Sequence, residues 1–360
     1  MDEKMEELSN YGDPKFTALR RKVDIPKPGP NEVLIKVIAT GLNPKDWKSE
    51  ALNAGDDVAG FIENVGDGVF EYNTGDRVAA FHRITEPGAG YAEYAIAPAS
   101  TTFRLPPNIS FEAGAGLPLV TMTAAISLYQ ALQLPLPTAA ATAGESIPVL
   151  IYGSATAVGA YALQLAKLSK LSPIIAVAGN GIEYVKSLNT ATHIIDYRDG
   201  NVADKVIEAV RAAAPGQKLH HVLDAVSDFG SHKVISEILV AFGGGQINML
   251  DPGAEMDKSW QWPEGVKFSL TFVASAYGRK NPWMSEERAA ADKEFAYWFY
   301  RYITHLLAEG ELNPHPHKVL PNGLDGILQG VQDLKNNKVS GKKLVARHVD
   351  SMRCTQKSID

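Results

Sequence analysis

The chain has 360 residues, a formal net charge of −6 and 21% charged residues, enough for two domains of ordinary size. No basic stripe suits a phosphate backbone, which excludes nucleic acid as a partner, and no apolar run approaches the ~20 residues needed to cross a bilayer. The one cysteine, Cys354, excludes an intrachain disulfide and a cysteine-rich metal site, and the acidic, polar residues 1–10 lack the apolar core of a signal peptide, so a cytoplasmic protein is expected.

Along the chain, the first ~120 residues read as short strands and turns, a texture that suggests a small all-β unit. Residues 31–40 (NEVLIKVIAT) alternate as a half-buried strand does. Residues 57–65 (DVAGFIENV) form a second apolar run, and Asn73-Thr74-Gly75-Asp76 is a tight turn feeding a third strand at Arg77. Residues 111–132 are rich in Ala, Leu and Thr and predict a helix, and the Pro/Ala/Thr-rich residues 134–147 a loop. A strand–helix series follows, with strands expected at 149–152, 174–178, 193–197, 221–225 and 244–249. The helices between them are expected at 158–168, 181–188, 202–213 and 230–239. Repeated βα units require a parallel sheet, because parallel strands need crossovers. Residues 267–274 (KFSLTFVA) suit a sheet edge or an internal strand. Then come a long helix over 286–309 with aromatics on its inner face, a short loop and strand, a helix over 323–336 and a last strand over 343–347, ahead of a frayed tail.

The turn from Tyr152 to Gly159 (YGSATAVG) joins the first strand of this series to its first helix. Small residues there let the backbone approach a pyrophosphate, and helix N-terminal N–H groups stabilise its charge. The middle glycine of the usual fingerprint is missing. The second strand ends in Ala178-Gly179-Asn180-Gly181 with no carboxylate to hold a ribose 2′-hydroxyl, which permits a 2′-phosphate. No arginine stands in that stretch, so Asn180 and Tyr197 are the candidate donors, and Lys186 reads as a solvated helical lysine.

Several short segments in order carry a family resemblance: GLNPKDWK from Gly41, DVAG from Asp57, GDRV from Gly75, GYAEY from Gly90, DYR from Asp196 and SGKKLV from Ser340. The chain resembles the medium-chain dehydrogenase/reductase superfamily over nearly its whole length, and within it the fungal trans-acting enoyl reductases and ToxD-like proteins of polyketide pathways. The resemblance implies an α/β protein in which a doubly wound Rossmann parallel sheet is inserted into a GroES-like, mostly β catalytic domain. The expected division is 1–126 and 277–360 for the catalytic domain and 127–276 for the NADP-binding domain.

It further implies that Lys45, Asp46, Trp47, Lys48, Ala155, Thr156, Ala157, Val158, Tyr197, Leu250, Val339 and Ser340 surround NADPH/NADP, joined by Asn180. The implied substrate side comprises Met122, Thr123, Ile126 and Tyr129 together with Thr271, Phe272, Val273, Ala274 and Ser275. The short stretch after Lys48 departs from the relatives and leaves an open or rebuilt rim.

Zinc members of the superfamily hold their metal with a Cys near Thr40 and a His near Asp56. Neither residue type stands there, and the His315-Pro316-His317 loop reads as solvated, so no metal is expected. Without Lewis-acid polarisation, the expected chemistry is hydride addition to the β-carbon of an α,β-unsaturated carbonyl. The developing enolate then needs hydrogen-bond donors and a proton for its α-carbon. Lys48 and Thr123 are the catalytic candidates. Lys48 suits the nicotinamide ribose or the substrate carbonyl, and Thr123 the carbonyl or the carboxamide. Tyr152 reads as packing and Asp46 as a turn anchor.

The substrate is expected to be a small-molecule or carrier-tethered unsaturated acyl group, with a polyketide synthase as a partner and a monomer or homodimer as the assembly. A free-standing enone or quinone reductase, and a redox-neutral isomerase, cyclase or scaffold, are the alternatives.

Overall fold

The computed structural model describes residues 4–10, 18–48, 53–142, 145–250 and 260–348. In chain order they form β1 (Lys4–Asn10), β2 (Ala18–Asp24), β3 (Glu32–Gly41), α1 (Lys45–Lys48), β4 (Asp57–Val65), β5 (Arg77–Phe81), β6 (Tyr94–Pro98), β7 (Thr102–Arg104), α2 (Phe111–Gly114) and α3 (Pro118–Ala125). Next come β8 (Val149–Tyr152), α4 (Ala157–Leu168), β9 (Ile174–Ala178), α5 (Ile182–Ser187), β10 (His193–Asp196), α6 (Val202–Ala213), β11 (His221–Asp224), α7 (Ser231–Ala241), β12 (Gly245–Leu250) and β13 (Val266–Thr271). The last elements are α8 (Glu286–Ala308), β14 (His317–Leu320), α9 (Ile327–Lys335) and β15 (Lys343–Arg347).

The chain divides into two compact units, residues 1–119 with 300–360, and residues 120–299. Both divisions fall inside helices, α3 and α8. In the first unit a seven-stranded sheet runs β14-β15-β3-β4-β5-β7, with β6 also paired to β3. Val33, Ile35 and Val37 of β3 enter one core with Val58, Ile62, Val78 and Ala95. A second cluster gathers Leu42, Leu320, Leu324, Ile327 and Leu344, with Trp47 and Val339 against it. The C-terminal strand completes the sheet: β15 lies antiparallel to β3, Val345 opposite Gly41.

The second unit holds a six-stranded parallel sheet in the order β10-β9-β8-β11-β12-β13. The chain thus winds outward from β8 in one direction and from β11 in the other, the order of a Rossmann sheet, whose ligands bind beyond the strand ends where the winding reverses. Its core joins Leu150, Ile175, Val177 and Val222 to Val206, Val210, Ile235 and Ile238 of the covering helices. The spacing of Ala203, Val206, Ala209 and Val210, all buried, gives α6 one apolar face.

Several expectations change. Residues 111–132 are not one helix, because Pro118 has no N–H to continue from α2 and instead opens α3, which passes into a π-turn at Ile126–Ala131. Residues 4–10 pair with 18–24 as an antiparallel ribbon, where Met5 and Leu8 supply buried contacts that the surrounding charges mask in the sequence. Of 267–274, residues 267–271 belong to β13, which stands at the sheet edge among the described residues and pairs with β12, while Val273 and Ala274 enter a 3-10 turn. On α8, Phe299 and Tyr300 are buried, but Tyr297 and Trp298 are exposed rather than on an inner face. His315 is buried and only His317 is exposed, so the loop is not simply solvated. The frayed tail, Cys354 and residues 49–52 of the short rim after Lys48 lie outside the described residues, while 53–56 of that rim are buried.

Candidate functional site

In the second unit, the β8–α4 turn sits at the reversal point of the sheet. Gly153 has φ 77°, and a Cβ there would lie 2.3 Å from Val226, the residue beyond β11. A Cβ on Gly159 would lie 2.4 Å from the Gly153 carbonyl oxygen and 2.8 Å from Ser154 Cα. These two glycines therefore bring helix, turn and neighbouring strand end to backbone contact, which is the geometry a pyrophosphate cradle needs.

The missing middle glycine does not obstruct the turn. Ser154 is buried with its hydroxyl donating to Val177 O at 2.9 Å, and the small Ala155 is partly exposed. Thr156 caps α4, its Oγ1 accepting from Gly159 N at 3.0 Å. The cap takes one of the four N–H groups of the first turn that have no partner within the helix.

The facing turn is held by Asp224, whose Oδ1 accepts from Val226 N at 3.1 Å and Ser227 N at 2.9 Å, while Oδ2 accepts from Ser231. Burial pushes the Asp224 carboxyl above its ordinary range, against these hydrogen bonds. Ser227 Oγ accepts from Leu250 N at 2.8 Å, which fixes the end of β12 beside it.

At the end of β9, Gly179 makes room for an aromatic ring: a Cβ there would lie 2.3 Å from Tyr197. Tyr197 is half exposed. Parallel pairing places Asp196 of β10 opposite Ala178 of β9, and this register brings in Arg198. Its guanidinium donates to Asn180 Oδ1 at 2.7 Å and is held on Asp196 through Nε and Nη2. An arginine therefore does stand at this strand end, contrary to the reading of 178–181 alone. Lys186 instead pairs with Glu183 on the exposed face of α5.

Among the candidate substrate residues, Met122, Thr123, Ile126 and Tyr129 are all buried. Tyr129 commits its hydroxyl to Leu165 O and Ser169 Oγ, at 3.2 and 3.1 Å, and its ring to Phe295 and Phe299. Thr271 accepts from Ser127 Oγ at 2.9 Å and donates to Asn248 Oδ1 at 2.9 Å, linking the π-turn, β12 and β13. Ser275 donates to the buried Asp292 of α8 at 2.7 Å. Phe272 and Val273 are half-buried and Ala274 is buried. Tyr152 packs on the sheet core, and burial raises its hydroxyl pKa.

In the first unit, Lys45–Lys48 form one helical turn. Asp46 anchors it as the Asn-Pro-x-Asp pattern predicts: Oδ2 accepts from Asn43 N at 2.7 Å and from Tyr91 OH at 2.6 Å. Lys45 turns inward, donating to Asp46 Oδ1 at 2.7 Å and Ala54 O at 2.9 Å, with Asp56 against its ammonium. Desolvation works against the Lys45 charge, but the attraction of Asp46 and Asp56 outweighs it and raises the pKa. Burial, with Asp46 and Asp57 nearby, pushes Asp56 up to about 7 despite Lys45.

Alongside, Asp57 accepts from Leu119 N at 2.7 Å, Asn43 Nδ2 at 2.8 Å and Lys343 Nζ at 3.0 Å. Lys48 is exposed, its ammonium 5.2 Å from the Trp47 ring centroid. Trp47 and Val339 share one cluster, and Ser340 is exposed beside it in sequence. The structure thus gathers Lys45, Asp46, Trp47, Lys48 and Val339 in the first unit. In the second it gathers the 153–159 turn, and beside β9 Asn180 and Tyr197. Asp56, Asp224, Ser227 and Arg198 are the site-building residues the sequence reading missed.

Residues 29–107 match the family described as the alcohol dehydrogenase GroES-like domain. The trans-enoyl reductase fsr4 of Gibberella fujikuroi is 38% identical over 84% of this chain and 87% of its own. The trans-enoyl reductase ACTTS2 of Alternaria alternata is 34% identical over 87% and 90%. Among solved structures, an alcohol dehydrogenase superfamily protein from Novosphingobium aromaticivorans superposes with a TM-score of 0.74 at 21% identity, covering 96% of this chain and 100% of that one.

Proposed function

The chain belongs to the fungal trans-enoyl reductases of the medium-chain dehydrogenase/reductase superfamily, and on that premise we propose that it reduces the C=C bond of an α,β-unsaturated acyl group with NADPH, the acyl group being tethered to a polyketide synthase carrier. The observation that carries the cofactor half of this reading is the Gly153–Gly159 turn, closed to backbone contact at the reversal point of a Rossmann sheet. NADPH, when bound, supplies the hydride. The α4 N-terminus around Ala155, Thr156, Ala157 and Val158 would hold its pyrophosphate, and Leu250 lies at a neighbouring strand end. Tyr197, Asn180 and Arg198 would hold the adenosine ribose and its 2′-phosphate, since a guanidinium matches phosphate geometry and charge.

Lys48, with Val339 and Ser340 near its turn, would serve the nicotinamide ribose or the substrate carbonyl, and Thr123 the carbonyl or the carboxamide. Donation to the carbonyl oxygen stabilises the enolate as charge develops on it, and the α-carbon takes its proton from solvent or a side chain. Zinc independence is supported by the donor set: no group of three His, Cys, Asp or Glu side chains among the described residues is arranged to hold a metal ion, and Lys45 already occupies the Asp56 carboxylate.

NADPH consumption with a carrier-bound enoyl thioester, a free enone and each substrate against NADH tests the reading. Faster turnover of the tethered thioester supports it. Preference for the free enone assigns a free-standing enone reductase instead, and turnover of neither removes the reductase. Lys48→Ala is expected to lower kcat roughly 100-fold, within the usual range for a polar catalytic group, with a cooperative thermal transition retained; wild-type kcat would remove Lys48 from the mechanism. Arg198→Ala is expected to raise KM for NADPH about tenfold, the scale of one charge-assisted hydrogen bond, while KM for NADH stays within about twofold. Equal effects on both coenzymes would separate Arg198 from the 2′-phosphate.

A further inference from the structure

Four residues of helix cannot hold their own shape, since the first turn of a helix fixes several dihedrals for a single hydrogen bond. The conformation of α1 must therefore come from side-chain anchors. Asp46 and Trp47 supply two of these, through Asn43, Tyr91 and the apolar cluster. Lys45 supplies the third, and Asp56 is what its ammonium reaches.

Asp56 is suited to be a fixed post. Its carbonyl accepts from His82 N at 2.8 Å, which ties the backbone just before β4 to the residue just after β5. Its side chain is 1% exposed. Among the described residues, the charged and titratable groups around it are Lys45 and Asp46 of α1, Asp57 of β4, Tyr91, His82 and, next to it, Arg83. His82 Nδ1 stands 3.9 Å from Asp56 Oδ1, and neither ring nitrogen has a hydrogen-bond partner among the described residues. Among the described residues, Lys45 is thus the cation against this carboxylate. A buried ion pair is a poor source of net stability, because desolvation offsets the attraction, and its better-attested use is to select one geometry.

We infer that Asp56 is a positioning residue: acting through the Lys45 ammonium, it fixes the α1 turn that presents Lys48. The inference rests on the reading that Lys48 acts in the reaction, and it assigns Lys45 an inward, holding role rather than direct contact with the coenzyme.

The experiment is a double-mutant cycle on the full-length protein, with Asp56→Asn and Lys48→Ala singly and together, read by kcat and KM on the enoyl thioester. Hydrogen exchange of the α1 amides without coenzyme is measured in parallel. Asp56→Asn is expected to lower kcat by about 10- to 30-fold, to speed exchange at Asp46–Lys48, and to leave exchange in β8, β9 and β11 unchanged. In the Lys48→Ala background it should lower kcat no further, the non-additivity expected of residues acting as a unit. Asp56→Glu, which keeps the charge, should recover part of the loss.

A loss that multiplies in full with that of Lys48→Ala, or α1 exchange equal to wild type, overturns the positioning role. Unchanged kcat in Lys48→Ala alone rejects the role of Lys48, while the exchange data still report whether Asp56 holds α1. Should Asp56→Asn fail to fold, the uncharged pair Lys45→Met with Asp56→Leu carries the same cycle. That pair must show the same faster α1 exchange and the same non-additivity, and wild-type values in it also overturn the inference.

Discussion

Gly159→Val is expected to weaken NADPH binding by at least about 1,000-fold while leaving the sheet intact. A Cβ at this position would sit 2.4 Å from a backbone oxygen and 2.8 Å from a backbone Cα, neither of which can swing aside as a side-chain tip does. The helix must retreat from the turn, and Val adds two further carbons to the clash. Overpacking of this kind costs about 1–3 kcal/mol of stability. The retreat also carries away the N–H groups of the first helical turn, whose charge-assisted bonds to an anion are each worth about 1.5–3 kcal/mol. Losing two of them corresponds to roughly three orders of magnitude in affinity. Isothermal titration with NADPH, beside a urea transition on the same sample, separates the two effects. Retained affinity would mean that the coenzyme does not use this turn.

The second large effect is acid lability of the first unit. His82, His315 and His348 are each buried there, and burial lowers their pKa values to about 3, 4 and 4. Below the ordinary histidine range the unfolded chain takes up these protons and the folded chain does not. Their contribution is therefore present above about pH 6.5 and is lost as pH falls toward 3 or 4, by about 1.4 kcal/mol per histidine per pH unit.

Asp56 has the opposite sign. Its carboxyl is raised to about 7, so its protonation favours the fold as pH falls below 7 and offsets roughly one of the three histidines. The net loss by about pH 4.5 is on the order of 5 kcal/mol, comparable to the whole stability of many domains. Hydrogen exchange followed down in pH should open β3, β4, β5 and β15 before β8, β9 and β11. His82→Leu discards no hydrogen bond to the described residues, among which both ring nitrogens lack partners, and should move the acid midpoint down by about half a pH unit. Simultaneous opening of both sheets, or an unmoved midpoint, would contradict this account.

Much of the architecture can be read from residue order because it is written in local periodicity. The alternation of 31–40 and the apolar runs of the βα series foretell β3 and β8 to β12 to within a residue or two, since each element must present its own apolar face. What escapes that reading depends on partners remote in sequence. Arg198 reaches Asn180 only because the register of β9 against β10 sets the two strand ends side by side. Asp56 looks like one more loop acid until the fold buries it against Lys45, and Asp57 finds Lys343 from the far end of the chain. The glycine fingerprint misleads for a related reason: it asks for a glycine two residues after Gly153, whereas the Ala155 that stands there is small and partly exposed, and Ser154 before it turns inward to Val177. Turn chemistry that closes within three residues, as at Asn43 and Asp46, stays legible.

The pairing of β15 with β3 also bears on how the protein is made. Val345 cannot meet Gly41 until about 300 further residues have left the ribosome, a wait of tens of seconds at ordinary translation rates. Residues 120–299 form a contiguous unit and are free to fold during that interval. Meanwhile the flank of β3 that β15 will cover stands open to aggregation or to chaperone capture, so a transcript truncated before Lys343 should yield a nascent chain that is half native and sticky.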